Sequence, residues 1–428
     1  MSEAPGATEK PARSFRAYWA VGALVVGLVL GIAADRLSPS GRDDALATAS
    51  FVGTLWLNGL KMTVIPLVIT LLVVGIAKSA EAARGGRIAA TTVFWVVIIC
   101  TVSAVFGAIV TLLLTRIFPL SQSVAESLRG ALSAVEQKPA GPLPGIADFF
   151  KGVIPPNVFA AASNGDVLPL VIFSLLFALA LTQISEAARR TVVALFEAIS
   201  DVLLVIIRWV LSLAPIGVFA LAFTVGSEAG GAAFAGLGHY IVVVSAVGIL
   251  WMALAAYPLG IIGGAIRPKL FAKAMIGPQA VAISTRSSLA SLPAMLTAAQ
   301  TIGIRPRVAD VSLPLAVALF RSTGPAMNVA VAFYVAHWLG MHPTLAQMLA
   351  AVGVAAVMSY GAVSLPGEIT YISSIAPISL ALGIPIAPLA LLVAVEMVPD
   401  IFRTLGNVTF DVSLSALVDR SMKDAPKS

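Results

Sequence analysis

Long apolar stretches dominate the first part of the chain, and polar or turn-rich joints separate them. The apolar runs lie at about 17–36, 50–78, 88–118, 156–184, 195–227 and 237–266. A helix needs roughly 20 apolar residues to cross the hydrocarbon layer of a membrane. The pattern therefore predicts six transmembrane helices between residues 17 and 266, after a polar tail at 1–16.

After residue 267 the apolar segments are interrupted by Ser, Gly and Pro. Segments 275–303 and 344–384 contain the breaks "ISTRSSLASLP" and "SYGAVSLPGE". Non-helical backbone at membrane depth persists only where protein or a water-filled cavity satisfies it, and paired broken segments point to a transporter's binding site. Close helix packing through small residues is the alternative. We interpret each segment as two half-helices meeting at a tip, with one interrupted helix between them and another after them.

The overall composition is typical of a membrane protein. Of 428 residues, 59% are hydrophobic and 11% are charged, whereas soluble domains carry about a quarter charged residues. The single cysteine, Cys100, excludes an internal disulfide and a cysteine-built metal site, and only three histidines are present. The net charge of +6 is better explained by membrane orientation than by a nucleic-acid partner.

Basic residues gather at alternate joints and indicate an orientation. The groups are Lys10, Arg13 and Arg16; Lys78, Arg84 and Arg87; Arg189 and Arg190; and Arg267, Lys269 and Lys273. By the positive-inside rule these joints are cytoplasmic. We therefore expect a multi-pass protein of the cytoplasmic (inner) membrane with both termini, including a tail at 421–428, in the cytoplasm. The loop at about 119–155, with "KPAGPLPG", would face outside.

The last apolar segment carries a stripe of polar and charged residues. Glu396, Asp400, Arg403, Asn407 and Asp411 are spaced by four, three, four and four, which places them within an arc of about 80° on a helix. Each charge at the centre of a membrane helix costs about 2.5–3.5 kcal/mol to insert. Such residues must face a cavity, one another or a ligand. A purely internal network, with Asp400 paired to Arg403, is the alternative interpretation.

These motifs resemble the dicarboxylate/amino acid:cation symporters, the family that includes the glutamate transporters. "GLKMTVIPLVITLLVVGIAKS", "STRSSLASLP", "SYGAVSLPG" and "DIFRTLGNVTFD" carry the resemblance. It implies an all-α fold with eight transmembrane helices and two re-entrant helical hairpins, a homotrimer in contact with membrane lipid, and an elevator mechanism. Helices 1, 2, 4 and 5 would form the scaffold, and helices 3 and 6 would join the transport domain. The transport core at 267–420 would hold hairpin 1 at about 271–303, helix 7 at about 309–338, hairpin 2 at about 344–384 and helix 8 at about 386–418.

The resemblance also implies which residues bind the substrate. Arg403 matches the arginine that holds the side-chain carboxylate, and a planar guanidinium suits that task because it can form two parallel hydrogen bonds. Asp400 matches the aspartate that receives the amino group, which favours an amino acid over succinate or malate. The other predicted substrate-binding residues are Arg286, Ser287 and Ser288 at the first hairpin tip, with Thr323, Gly367 and Asn407.

The chain departs from the family where relatives bind sodium. The family's Asn-Met-Asp-Gly-Thr signature is replaced by Phe320-Arg321-Ser322-Thr323-Gly324, and a Thr-Ser pair by Ile99-Cys100. Hard cations require oxygen ligands, and neither isoleucine nor phenylalanine has a side-chain oxygen. We therefore predict transport that is sodium-independent or proton-coupled. A residual sodium site at Asn407 and Asp411 is the alternative.

Arg321 lies in an apolar segment, so its positive charge needs a negatively charged partner. In one hypothesis it replaces bound sodium beside Ser322 and pairs with Asp411, because a lone buried carboxylate is costly. In the other it reaches the binding pocket as a further carboxylate clamp. Candidate proton carriers are Glu368 and Glu396, although Glu368 could also be a solvated carboxylate at the second hairpin tip.

The function predicted from these observations is secondary active transport of acidic amino acids. A C4-dicarboxylate or other amino-acid symporter with residual sodium coupling, or an uncoupled carrier, channel or sensor, is the alternative. An enzyme is not expected, since a serine nucleophile needs a base within reach and no histidine lies near "STRSSLAS". We expect no cofactor, a proton or sodium as coupling ion, and a small anionic amino acid or dicarboxylate as partner.

Overall fold

The computed structural model describes residues 12–34, 38–133, 154–319, 321–360 and 367–423, and its regular structure in these ranges is helical throughout. The helices before residue 267 are α1 Ala12–Ala33, α2 Pro39–Arg84, α3 Arg87–Ile117, α4 Gln122–Ser133, α5 Val158–Asn164, α6 Val167–Leu181, α7 Glu186–Ser212, α8 Ala214–Ala229 and α9 Ala232–Trp251, which continues as wider turns to Gly263. The segment "KPAGPLPG" of the predicted outer loop lies outside the described residues.

Two apolar runs that the sequence pattern treats as single spans are divided in the structure. The run at 156–184 forms α5 and α6, with Gly165 in the left-handed region (φ 79°), where glycine ends a helix without strain. The run at 195–227 bends by 56° between α7 and α8. Pro215 lies in the first turn of α8. In a continuous helix its missing N–H would break a backbone hydrogen bond and its ring would clash with the preceding turn, so the helix bends here.

Several helices are long and apolar enough to cross a membrane. Within the described ranges these are Pro39–Arg84, Arg87–Ile117, Ala232–Gly263 and Pro306–Trp338, and the bent pair α7 and α8 brings the number to five. Shorter apolar helices at Trp19–Ala33, Val167–Leu181, Leu345–Ser359 and Tyr371–Leu382 do not meet the length criterion. Eight spans remain a prediction.

The predicted breaks in the second half of the chain fall between packed helices. The helices are α10 Pro268–Thr285, α11 Ser288–Thr301, α12 Pro306–Leu319, α13 Thr323–Trp338, α14 Leu345–Tyr360, α15 Gly367–Leu382, α16 Ala387–Leu392 and α17 Met397–Lys423. Helices α10 and α11 pack against each other as one hairpin, and α14 and α15 pack as another. The tip of the second hairpin, residues 361–366, lies outside the described residues.

The last predicted helix, at about 386–418, is two helices in the structure, and this corrects the sequence pattern. A turn at residues 393–396 separates α16 from α17, so Glu396 precedes the helix that carries the other stripe residues. Pro399 explains where α17 starts, because proline is tolerated in the first helical turn but not in the interior. The backbone N–H of Asp400 still donates to the Glu396 carbonyl at 2.9 Å, so Glu396 directly precedes the first turn of α17 and accepts a helical hydrogen bond from it.

Helix α17 is buried at the centre of one of the two largest hydrophobic cores. It packs against α9, α10, α11, α12 and α13, and most of its residues from Arg403 to Asp419 are buried. A glycine makes one of these approaches possible: a Cβ at Gly406 would lie 2.2 Å from Thr323 Oγ1. The polar stripe of α17 therefore lies beside the break between α12 and α13.

Candidate functional site

Arg403 lies between two carboxylates at the start of α17. Its Nη1 is 2.5 Å from Glu396 Oε1 and 3.3 Å from Asp400 Oδ1. Arg403 and Glu396 are 8% and 3% exposed, so this ion pair is shielded from solvent. The internal pairing that the sequence left as an alternative is therefore present, but it uses only one of the three guanidinium nitrogens.

The other edge of the Arg403 guanidinium has no acceptor in the part of the chain that the structure describes. Nε and Nη2 are both buried and have no hydrogen-bond partner among the described residues. A buried donor without a partner costs about 1–3 kcal/mol, and more when it is charged. These two nitrogens form the edge that binds a carboxylate through two parallel hydrogen bonds. This edge is therefore open to an acceptor that the described residues do not supply.

A cavity of about 30 Å³ lies beside Arg403, between α13, α14, α15 and α17. Its lining is Arg321, Gly324, Pro325, Asn328, Met358, Ser359, Tyr371, Ser374 and Arg403. Two arginines and several hydroxyl or amide groups on otherwise apolar walls suit a small anion. Sequence reasoning had not selected Asn328, Ser359, Tyr371 or Ser374; polar residues on apolar helices were the only signal available.

The first hairpin tip meets this region through Arg286. The residue caps α10 in the left-handed conformation (φ 49°), which is uncommon for a residue other than glycine. Its Nη1 lies 3.9 Å from Asp400 Oδ2. Ser287 caps α11, its Oγ accepting from Ala290 N at 3.2 Å, and Ser288 starts that helix. Arg286 and Asp400 therefore join the tip to α17.

The break before α13 is fixed by hydrogen bonds from distant helices. The Ser322 carbonyl accepts from Ser103 Oγ of α3 and from Trp251 Nε1 at 3.1 Å. Ser103 Oγ also accepts from Ala326 N at 3.1 Å, so this one hydroxyl spans the break. Sequence reasoning missed Ser103 and Trp251, whose separation from Ser322 along the chain gives no pattern to read.

Two of the predicted binding residues, Asn407 and Thr323, form a hydrogen bond with each other. Asn407 Oδ1 accepts the backbone N–H of Thr323 at 2.9 Å. Thr323 is fully buried against Gly406, and its Oγ1 has no hydrogen-bond partner among the described residues. Neither residue is part of the cavity lining. In this conformation both residues support the backbone behind the cavity.

The pairing expected between Arg321 and Asp411 is not found. Asp411 is fully buried, and neither carboxylate oxygen has a hydrogen-bond partner in the described part of the chain. Arg321 lines the cavity with Arg403. The cause is the backbone: the helix is interrupted at Arg321, ahead of α13, so the side chain can point to the cavity. The clamp hypothesis fits this placement.

The second hairpin contributes less to the described site. Gly367 starts α15, and Glu368 follows in its first turn. The side-chain position of Glu368 lies outside what the structure describes. Its predicted role as a proton carrier stays a prediction.

Glu396 is held by a tyrosine that the sequence pattern did not reveal. Tyr240 of α9 donates its hydroxyl to Glu396 Oε2 at 2.8 Å, and Tyr371 Oη of α15 lies 3.3 Å from Tyr240 Oη. Each oxygen of the Glu396 carboxylate therefore has its own partner group. These contacts connect three elements that are far apart in the chain.

Charged groups of both signs meet around the cavity. Arg286 lies 3.9 Å from Asp400, and Arg403 lies between Asp400 and Glu396. Arg321 lines the cavity, and the buried Asp411 adds a third carboxylate on α17. These three arginines and three carboxylates balance in formal charge.

Comparison with known proteins agrees with the motifs. The model of the sodium:dicarboxylate symporter family matches residues 17–421. A proton/sodium-glutamate symport protein of Bacillus subtilis is 28% identical over 405 residues, covering 92% of this chain and 90% of the relative. A proton/glutamate-aspartate symporter of Escherichia coli is 27% identical over 394 residues, covering 90% and 88%. A C4-dicarboxylate transport protein of Ralstonia nicotianae is 26% identical over 420 residues, covering 95% and 90%.

The family match extends over nearly the whole chain, including the hairpins and the α17 stripe. Several apolar helices in the structure are long enough to span a bilayer. The protein is therefore a multi-pass membrane protein that belongs to the sodium:dicarboxylate symporter family.

Proposed function

We propose that this protein is a secondary active transporter of acidic amino acids across the cytoplasmic membrane. The observation that carries the proposal is the Nε and Nη2 edge of Arg403, which is buried, has no hydrogen-bond partner among the described residues, and belongs to a residue that lines a cavity together with Arg321. The named activities of the relatives, glutamate, aspartate and C4-dicarboxylate transport, all concern small carboxylates. An enzyme is not proposed, because the family is one of symporters.

The groups around the cavity suit an amino acid better than a dicarboxylate. An aspartate or glutamate zwitterion has two carboxylates and one ammonium, and Arg321 and Arg403 both line the cavity. Succinate has no ammonium to pair with Asp400. Asp400 is the group available for the substrate ammonium, because its Oδ2 lies 3.9 Å from Arg286 and so is held only loosely.

The coupling ion that we propose is the proton. Two oxygens near the altered sodium motif already accept hydrogen bonds: the Ser322 carbonyl from Ser103 and Trp251, and Asn407 Oδ1 from the Thr323 backbone. A sodium ion at the Ser322 carbonyl would have to displace one of its two donors, and a sodium ion at Asn407 Oδ1 would have to share that oxygen with the Thr323 N–H. Arg321 supplies a fixed positive charge nearby. The residual sodium site is the alternative, and it is favoured by the Asp411 carboxylate, which has no hydrogen-bond partner among the described residues.

Transport requires the cavity to open. A volume of about 30 Å³ holds water but not an amino acid, whereas pockets for small molecules measure about 300–1,000 Å³. We propose the elevator movement of the family, in a homotrimer with both termini in the cytoplasm, with the second hairpin as the outer gate. Cysteines placed at Ser364 and Ser287 test the gate: an outward-locked protein should react with an impermeant thiol reagent at Ser364 only. Equal labelling of both sites would contradict it.

Uptake by proteoliposomes tests the proposed function. Labelled aspartate, glutamate and succinate are supplied under a sodium gradient or a proton gradient, each imposed separately. We expect concentrative uptake of aspartate or glutamate with the proton gradient and no gain from sodium. Uptake that merely equilibrates would indicate an uncoupled carrier. Concentrative uptake that requires sodium would establish the residual sodium site instead.

A further inference from the structure

The carboxylate of Glu396 is fixed by a hydroxyl that comes from another helix. Tyr240 Oη donates to Oε2 at 2.8 Å, and Arg403 Nη1 lies 2.5 Å from Oε1. Tyr240 is fully buried and Glu396 is 3% exposed, so water does not compete for either group. The terminal torsion of a glutamate is broad and does not fix the carboxylate plane by itself. The Tyr240 hydroxyl therefore sets the orientation of this carboxylate.

The number of hydroxyl protons determines which tyrosine donates the hydrogen bond between Tyr240 and Tyr371. Tyr240 has one hydroxyl proton, and Glu396 Oε2 accepts it. Tyr371 Oη, 3.3 Å away, must then donate to Tyr240 Oη. The chain runs from Tyr371, which lines the cavity on α15, to Tyr240 on α9 and on to Glu396. It ends at the guanidinium of Arg403.

The ring of Tyr240 is held as firmly as its hydroxyl. Tyr334 of α13 packs against it edge to face, with ring centroids 5.5 Å apart and planes at 67°. The Tyr334 hydroxyl points elsewhere, donating to the Gly236 carbonyl at 3.2 Å and contacting His239 Nδ1 at 2.9 Å. Tyr334 is thus a neighbour of Tyr240 with the same chemistry and no contact with Glu396.

We propose that Tyr240 is a positioning residue for substrate recognition, acting through Glu396 on Arg403. Glu396 occupies Nη1 of Arg403, a residue of the cavity lining, and so fixes the orientation of the Nε and Nη2 edge. Without the Tyr240 hydroxyl, the Glu396 carboxylate rotates and the guanidinium turns with it. The edge then no longer matches a carboxylate in the cavity. This inference rests on the proposed function, since it concerns recognition of the substrate's carboxylate.

Tyr240→Phe and Tyr334→Phe are a matched pair of variants, because each removes one buried hydroxyl. Purified variants in proteoliposomes are compared for the KM and kcat of aspartate uptake, and for inhibition by asparagine, whose side chain has no carboxylate. For Tyr240→Phe we expect the KM for aspartate to rise about tenfold, because a hydrogen bond to a charged group is lost. We expect kcat and asparagine inhibition to stay near the wild-type values. Tyr334→Phe should leave the aspartate-to-asparagine preference unchanged.

A double-mutant cycle separates positioning from a general loss of packing. Glu396→Gln should also weaken aspartate selectively, and adding Tyr240→Phe to it should cause little further loss, since both residues act through one contact. Independent, multiplying losses would overturn the inference, as would equal effects of Tyr240→Phe on aspartate and asparagine. If Tyr240→Phe does not fold, aspartate-induced thermal shifts of Glu396→Gln alone still decide whether Glu396 governs selectivity. A wild-type protein that transports no acidic substrate would instead refute the proposed function.

Discussion

Replacing Arg403 by lysine separates the charge of this residue from its geometry. Lysine keeps a cation that can neutralise Glu396 and Asp400, which lie 2.5 Å and 3.3 Å from Arg403 Nη1. It lacks the planar edge of Nε and Nη2, which has no partner among the described residues. A compact ammonium can serve the two protein carboxylates or the substrate, but it cannot form the paired hydrogen bonds.

The expected loss follows from the bonds that disappear. One hydrogen bond to a charged group contributes about 1.5–3 kcal/mol. Since 1.4 kcal/mol corresponds to a factor of ten, the Kd for aspartate should rise about 10- to 100-fold in Arg403→Lys. Arg403→Ala should bind aspartate more weakly still and should also unfold more easily, because breaking a buried pair costs about 3–5 kcal/mol.

Binding is measured by isothermal titration calorimetry in detergent with aspartate and asparagine as ligands. The matched control is Arg305→Lys. Arg305 directly precedes α12, and its Nε lies 2.6 Å from Oδ1 of Asp419, at the other end of α17. That variant also replaces an arginine paired to an aspartate, but far from the cavity. Unchanged aspartate affinity in Arg403→Lys would refute the reasoning. So would an equal loss for aspartate and asparagine.

Three further outcomes are expected. Arg321→Met should weaken acidic substrates in sodium and in choline buffers alike, because a cavity cation is lost; a sodium dependence that appears only in this variant would support the replacement-cation hypothesis instead. Asp400→Ser should lower the affinity for aspartate relative to succinate in a competition assay, since the ammonium partner is gone; an unchanged ratio would exclude that role. Ser103→Ala should destabilise the fold by about 1–3 kcal/mol, because the backbone N–H of Ala326 loses its acceptor. Its melting temperature should be lower than that of Ser174→Ala, a control in which the lost hydroxyl bonds only within its own helix.

The local breaks of the chain are largely readable from residue types. Proline, glycine and serine interrupt an apolar pattern for reasons that act within a few residues: missing donors, ring clashes and left-handed backbone. The first hairpin tip at Arg286–Ser287 could be predicted in this way, as could the interruption near Gly324. The same rules apply to Pro215 and Pro399, but the hydrophobic runs around them concealed the bend and the turn.

The grouping of charges on α17 was also readable, because helical spacing alone places them on one side. Their partners were not. Asp400 contacts Arg286 of the hairpin tip, and Glu396 accepts a hydrogen bond from the hydroxyl of Tyr240, 156 residues earlier in the chain. Such contacts depend on which helices pack together, and no local pattern encodes that.

Arg321 shows the division most clearly. The sequence by itself determined that a cation replaces an apolar residue in the altered motif, and that its charge must be compensated inside the membrane. It left open whether the arginine turns to Asp411 or to the cavity. Only the tertiary structure placed Arg321 in the cavity lining, because helix packing brings Ser103 and Trp251 onto the Ser322 carbonyl and thereby fixes the backbone next to Arg321.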